Sequence, residues 1–166
     1  SAWVNEGVLI EPETRTNLDD GSLNFTAWGG VGTTISAGAG VGPDNTLSAS
    51  SLYSTSANSE HYMQQTEPSL TGTFTFSVYV KALGNQRYII LGERSNTGAQ
   101  ASFDLLSGTV VAESLGKGHI EPIGNGWFRC GLTPNAALSS QNFGKRIQLD
   151  NNGSLDGNSY AGNPSD

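Results

Sequence analysis

The sequence lacks several features that mark disulfide-rich proteins, metalloproteins, membrane proteins and common enzyme classes. Its 166 residues include one cysteine, Cys130, so no internal disulfide can form. The two histidines, His61 and His119, lie far apart with no cysteine partner, and zinc-ligand spacing is therefore absent. No run approaches the roughly 20 apolar residues that cross a bilayer. Neither a phosphate-binding Gly-x-x-x-x-Gly-Lys run nor a Gly-x-Ser-x-Gly elbow occurs.

Positive charge is also scarce. Eight Lys and Arg residues stand against 15 Asp and Glu, which gives a formal net charge of −7 at pH 7. This field repels nucleic acids and anionic membranes, so we expect no partner of either kind. A small cationic surface remains compatible with an anionic ligand, because physiological salt screens charges over about 8 Å.

Long runs of helix-forming residues are missing as well, and no segment shows a convincing 3.6-residue apolar stripe. Hydrophobic residues make up 36% of the chain and glycine contributes 22 residues. Short apolar runs separated by Gly, Ser, Thr and Asn indicate about ten strands at intervals of roughly 8–12 residues. We therefore predict one all-β domain over residues 1–166, a two-sheet antiparallel β-sandwich (jelly roll) with a loop-like tail from about residue 151.

The clearest predicted strand lies in residues 72–82. Its apolar side chains recur at every second position, at Phe74, Phe76, Val78 and Val80. Such a period of two is typical of a half-buried strand, because successive side chains point to opposite faces. The other face ends in Tyr79 and Lys81, where Ser or Thr alone would keep the strand soluble. This composition suggests that the outer face of the sheet binds a ligand.

The same alternation returns in residues 126–133 and 145–150. Phe128, Cys130 and Leu132 face the core in the first segment, and Ile147 and Leu149 do so in the second. The positions expected to face outward are Trp127, Arg129, Thr133, Arg146, Gln148 and Asp150. Cations on an exposed strand face can simply keep a sheet soluble and block edge pairing. A large aromatic beside an arginine favours a recognition surface instead.

Few residues of the sequence could together form a catalytic site. A glycosidase needs two carboxyl groups across a cleft, and outward carboxylates are limited to Glu60, Asp104 and Asp150. A polysaccharide lyase needs a base together with a group that neutralises a uronate carboxylate. The residues that would supply such a set are His61, Tyr79, Arg129 and Gln148. For His61 we favour a polar strand position or a binding contact over a catalytic base.

Oxygen-rich turns leave a structural calcium ion open, although no cofactor is expected to be required. Residues 150–153 together with Asp156 form one such group, and residues 19–21 and 44–45 form others. Calcium binds six to eight oxygen ligands. Asx-Gly runs, however, are mostly turns.

Five segments carry a family resemblance in the expected order. They are V-L-I-E-P-E-T-R-T-N-L (8–18, followed by A-W at 27–28), T-F-S-V-Y-V-K-A (75–82), F-D-L-L-S-G-T-V (103–110), G-N-G-W-F-R-C (124–130) and D-G-N-S-Y-A-G (156–162). Together they resemble the carbohydrate-binding-module-like jelly-roll domain of phage tail and structural proteins and of bacterial secreted polysaccharide-degrading proteins. The resemblance implies non-catalytic glycan binding by an extracellular or virion-associated protein.

The family's last strand, with a Trp and an acidic residue, has no counterpart after the Tyr-Ala-Gly segment. Either that strand is cut off, or this member closes its sheet differently and leaves an uncovered edge. In the second case we expect self-association through the edge.

The outward positions add a preference for acidic polysaccharides, uronate or sulfated. Tyr79 and Trp127 would stack on sugar rings, and Gln148 and His61 would bind hydroxyl groups. The cations that would pair with carboxylate or sulfate are Lys81, Arg129 and Arg146.

Three alternatives stay open. The protein could be a jelly-roll polysaccharide lyase, or a virion structural or adhesion domain without sugar affinity. Trp127 could also pack at the sandwich rim, with Arg129 paired to Asp150.

Overall fold

A computed structural model describes residues 25–94, 97–155 and 159–164, apart from the side chains of 67–69 and 140–142. These residues form one short 3-10 turn, Phe25–Ala27, and thirteen strands. No helix within them is long and apolar enough to cross a membrane. The sequence also predicts a strand at residues 8–11, closed by Pro12, and this strand and the turn at 19–21 lie outside the described ranges.

The strands follow one another along the chain with short connections. They are β1 (Gly29–Val31), β2 (Thr33–Gly40), β3 (Ala49–Ser54), β4 (Asn58–Ser59), β5 (His61–Gly72), β6 (Phe76–Lys81), β7 (Tyr88–Glu93), β8 (Gln100–Asp104), β9 (Thr109–Ser114), β10 (Gly116–Gly124), β11 (Trp127–Pro134), β12 (Leu138–Asp150) and β13 (Tyr160–Ala161). The predicted all-β class is confirmed. The short strands β1, β4 and β13 and the longer β10 were not predicted.

Two antiparallel sheets form the body of the fold. The larger has six strands in the order β1-β5-β12-β7-β8-β9, and the smaller has three in the order β10-β11-β6. Strands β2 and β3 form a separate hairpin, and β13 pairs with β4. Every pairing is antiparallel, in agreement with the predicted sandwich class.

The core lies between the inner faces of these two sheets. The period-two alternation produces it, since Val78 pairs with Cys130 on the smaller sheet and Leu91 with Ile147 on the larger. The fully buried members include Leu91, Ala101, Phe103, Cys130 and Leu132. Burial raises the pKa of the Cys130 thiol to about 12, as expected for a thiol that packs as a small apolar side chain.

Glycines such as Gly116 and Gly118 predict a turn at residues 116–118, but these residues instead begin strand β10. A Cβ added at Gly118 would lie 2.9 Å from Cβ of Ala101 on β8, and one at Gly116 would lie 3.0 Å from Cβ of Ala99, just before β8. The two glycines therefore belong to a strand whose inner face passes very close to the opposite sheet. Close approach of packed layers, rather than chain reversal, accounts for them.

The turn after β8 is organised by a buried carboxylate. Asp104 accepts hydrogen bonds from Nε and Nη2 of Arg87 at 2.9 and 2.6 Å, and from the backbone amide of Leu106 at 2.9 Å. The Arg87 guanidinium, helped by the turn amides, holds the pKa of Asp104 well below its usual range. Asp104 is thus a structural group and not a free outward carboxylate.

Candidate functional site

The outward surface of the three-stranded sheet brings four of the predicted site residues together. Trp127 on β11 pairs with Lys81 on β6, and Arg129 pairs with Tyr79. Tyr79 is 51% exposed, Lys81 and Arg129 are exposed, and Trp127 is partly exposed. We call this surface the open face. Its side chains are Thr75, Ser77, Tyr79, Lys81, Lys117, His119, Glu121, Trp127, Arg129 and Thr133.

Aromatic and cationic side chains alternate along each of the strands β6 and β11 and also across the pair. Directly opposed residues in an antiparallel pair place their Cβ atoms about 4.5–5.5 Å apart. Each of the two rows, Trp127 with Lys81 and Tyr79 with Arg129, therefore contains one ring and one cation side by side. Successive rows along a strand lie about 6.6–6.8 Å apart. The two rings lie on one diagonal of this small square and the two cations on the other.

The two cations of the square are not used by the fold. Among the described residues, neither Arg129 nor Lys81 makes an ion pair. Arg129 lies opposite Glu121 in the β10–β11 register, but the two do not form a salt bridge. The predicted alternative, Arg129 paired to Asp150, is therefore wrong. Lys117, at the far end of the face, differs because its ammonium contacts Glu113 at 2.9 Å.

His119 is a member of the open face that the sequence prediction missed. It is exposed on β10 and pairs with Gly131 on β11, next to Ser77 on β6. Because Gly131 has no side chain, the face is lowest at that point. Residues 117–121 do show the alternation of a half-exposed strand, with Lys, His and Glu between Gly and Ile. The glycines at 116 and 118 favour a turn instead, so the strand was not predicted.

One end of the open face borders a small cavity of about 130 Å³, which we call the corner cavity. Lys81 and Trp127 form one part of its lining, and Ile123 and Asn125 from the β10–β11 turn form a second. The tip of the β2–β3 hairpin, residues 41–45, forms the third. The register of β10 shifts between Pro122 and Gly124, a bulge of the kind that redirects a side chain beside a site.

The hairpin tip is held rigid by Asp44. Its carboxylate accepts hydrogen bonds from the Thr46 amide at 3.0 Å, from the Thr46 hydroxyl at 2.8 Å and from the Ser48 hydroxyl at 3.2 Å. The bond from the Thr46 amide is the main reason that the pKa of Asp44 is lowered. These contacts use the oxygens considered above for calcium at residues 44–45.

Arg146 is not on the open face, which corrects the prediction for this residue. It lies on β12, a central strand of the larger sheet, and is 8% exposed. Its guanidinium carbon is 3.6 Å from the centroid of the Tyr62 ring, and Nη2 donates to Oε1 of Gln64 at 2.9 Å. The predicted strand phase is correct, since Ile147 faces the core. The prediction was wrong because it assumed that the side of the strand away from the core is exposed to solvent.

Gln148 and His61 are corrected in the same way. Gln148 is 5% exposed on β12, and His61 is fully buried on β5. The His61 ring nitrogens lie 2.5 Å from the Gly32 carbonyl oxygen and 2.8 Å from that of Tyr160. A carbonyl oxygen only accepts, so whichever ring nitrogen carries the proton donates to the carbonyl oxygen beside it, and His61 lies between the β1–β2 turn and β13. Neither side chain has enough accessible surface to contact sugar hydroxyl groups as predicted.

The alternative lyase set is likewise divided between the sheets. His61 and Gln148 are buried in the larger sheet, whereas Tyr79 and Arg129 lie on the open face.

The oxygens considered for calcium at residues 150–153 accept hydrogen bonds from the backbone. Oδ2 of Asp150 accepts from the Gly153 amide at 2.5 Å, and Oδ1 of Asn152 accepts from the Ser154 amide at 2.8 Å. Within the described ranges, no three or more His, Cys, Asp or Glu residues are grouped to hold a metal ion. Asp156 and residues 19–21 lie outside those ranges.

No protein-family model matches the sequence, and no curated protein matches it at a significant level. The open face and the corner cavity are therefore the features from which a function is inferred.

Proposed function

We propose that the protein is a non-catalytic carbohydrate-binding module of the jelly-roll type that binds an acidic polysaccharide, uronate or sulfated, outside the cell or on a virion. The observation that carries the proposal is the pairing of Trp127 with Lys81 and of Tyr79 with Arg129 on one exposed sheet face. Each row offers a ring and a cation within the width of two strands.

The aromatic pair supplies the affinity for sugar rings. Tyr79 and Trp127 present apolar ring surface on a β-sheet, whose backbone is rigid, so little conformational entropy is lost on binding. Tyr79 is half exposed, and Trp127 is partly exposed on the neighbouring strand. Adjacent exposed aromatic side chains, unlike single scattered ones, are typical of an interaction surface.

The cationic pair supplies the preference for acidic chains. An arginine binds a carboxylate or sulfate in a bidentate way, and a lysine binds it as a point charge. The protein carries a net charge of −7, so attraction over long distances does not favour an anion. The contacts of Arg129 and Lys81 act within about one screening length of 8 Å, where the local charge decides.

The open geometry favours binding over catalysis. A lyase must hold its base against the substrate and exclude water. The open face is shallow, and the corner cavity is small compared with the about 300–1,000 Å³ of typical small-molecule sites. A surface of this kind can hold one side of a polymer without enclosing it.

Affinity electrophoresis through gels containing alginate, pectate, carrageenan, xylan or laminarin tests the proposal. We expect one or more of the anionic polymers to retard the protein, and the neutral ones to have little effect. Arg129→Ala removes a charge-assisted hydrogen bond worth about 1.5–3 kcal/mol and should weaken binding by about 10-fold or more. The matched control is Arg94→Ala, because Arg94 is exposed outside the open face.

Three results would contradict the proposal. Retention by laminarin but by no anionic polymer would refute the acidic preference. Release of ultraviolet-absorbing unsaturated uronate would identify a lyase. Stable self-association without affinity for any of the five polymers would identify a structural or adhesion domain.

A further inference from the structure

The corner cavity closes the open face at its Trp127 end. The last row of the face, Trp127 with Lys81, contributes to the cavity lining, and the tip of the β2–β3 hairpin lies across from it. A chain that lies along β6 and β11 over Tyr79 and Arg129 therefore meets the hairpin tip after the Trp127 row. At the other end of the face, the hydroxyls of Thr75 and Thr133 hydrogen-bond to each other at 2.8 Å.

The volume of the cavity limits what it can hold. It measures about 130 Å³, slightly less than the cavity of about 150 Å³ that encloses benzene. A sugar unit carries hydroxyl and acidic groups in addition to its ring, so the cavity encloses part of one unit and has no room for two. The cavity can accept the last unit of a chain while the next unit remains over the open face.

The lining has the chemistry that an anionic sugar unit requires. The Trp127 indole provides ring surface and Lys81 provides charge. The Lys81 stem lies close over Gly126 of the β10–β11 turn, since a Cβ added at Gly126 would lie 3.3 Å from Cε of Lys81. The side-chain amides of Asn45 and Asn125 make no hydrogen bond to any other described residue. Both amides can therefore donate to and accept from sugar hydroxyls.

The two asparagines are also held in an uncommon backbone conformation. Asn45 has φ of 61° and Asn125 has φ of 52°, and these are two of the three non-glycine residues with positive φ in the described ranges. Asparagine tolerates this region better than most residues. Asn125 and Gly126, whose φ is 79°, form the Asn-Gly turn that joins β10 to β11, and this turn places the Asn125 side chain beside the cavity.

From these observations we infer that the corner cavity binds the terminal unit of an anionic polysaccharide, so that the protein recognises chain ends. This inference rests on the proposed function. Trp127 stacks on the terminal ring, Lys81 pairs with its carboxylate or sulfate, and Asn45 and Asn125 bind its hydroxyls. Arg129 and Tyr79 hold the following unit.

Calorimetric titration with alginate, pectate and carrageenan chains of two defined lengths, prepared by mild acid hydrolysis, tests the inference. End recognition predicts one protein bound per chain at both lengths, and more protein bound per gram of the short chains. Binding along the chain predicts a number of sites that grows with length, which would overturn the inference while leaving the proposed function intact. Absence of binding to all three polymers would instead refute the proposed function.

The matched variants are Asn45→Gly and Asn125→Gly. Glycine adopts positive φ readily, so each substitution removes the amide without straining the turn. We expect each to weaken binding of the short chains by about 5-fold or more. Arg94→Ala, outside the open face, should leave this affinity within about 2-fold. Unchanged affinity in the Asn45→Gly, Asn125→Gly double variant would overturn the inference.

Discussion

Three arginines of this protein show how their surroundings decide what a guanidinium does. Arg87 is paired with the buried carboxylate of Asp104 and organises a turn. Arg146 is buried and lies against the Tyr62 ring. Arg129 is exposed, lies beside Tyr79 on the next strand and has no ion-pair partner among the described residues. Of these three, Arg129 alone can give its full set of donors to a ligand.

The Asp104 contact makes stability depend on pH in a definite direction. Its pKa is depressed in the folded protein, so its stabilising contribution is complete above the unfolded-state value of about 3.9 and is lost as pH falls further. Asp104→Asn should therefore be less stable than the wild type at pH 7, and the difference should shrink below about pH 4. Urea unfolding at pH 7, 5 and 3 measures it. A difference that stays constant over this range would contradict the assignment.

At the scale of the strands, the open face depends on how closely β10 approaches the larger sheet. Gly118 and Gly116 allow that approach, and β10 in turn presents His119 and Glu121 next to β11. Gly131 on β11 differs, since a Cβ there would make only ordinary contacts, the nearest at 3.6 Å from Cγ2 of Thr75. Neighbouring glycines on paired strands thus have unequal roles.

Gly118→Ala tests that difference. The added methyl would lie 2.9 Å from Cβ of Ala101 and 3.1 Å from Cγ1 of Val110, so we expect a loss of about 1–3 kcal/mol in the free energy of unfolding. The control is Gly131→Ala, which should change it by no more than about 0.5 kcal/mol. Denaturant unfolding of both variants decides the matter. Equal effects would show that β10 does not pack as described.

The sequence predicted strands and their phase well where apolar residues alternate with polar ones. Phe76, Val78, Cys130 and Ile147 all face the core as expected. It failed at β10, because glycines required for close packing look the same as turn glycines. It also failed at Arg146, because alternation tells which side of a strand a residue is on but not whether another layer covers that side.

At the scale of the whole molecule, the two sheets differ in what they expose. The larger sheet buries polar side chains on the side away from the core, including Arg146, Gln148 and Ser102. The smaller sheet leaves its outer side open, and its unpaired cations are a local exception on a protein of net charge −7. The corner cavity adds a boundary that gives this surface one closed end. This asymmetry is the reason that the proposed binding surface lies on the smaller sheet.

The most direct measurement is a map of backbone amide chemical-shift changes when uronate oligomers are added to isotope-labelled protein. We predict changes concentrated at residues 79–81, 123–129 and 41–45, with residues 146–148 and His61 little affected. Changes centred on the larger sheet, or no change at saturating oligomer, would contradict a binding surface formed by the open face and the corner cavity.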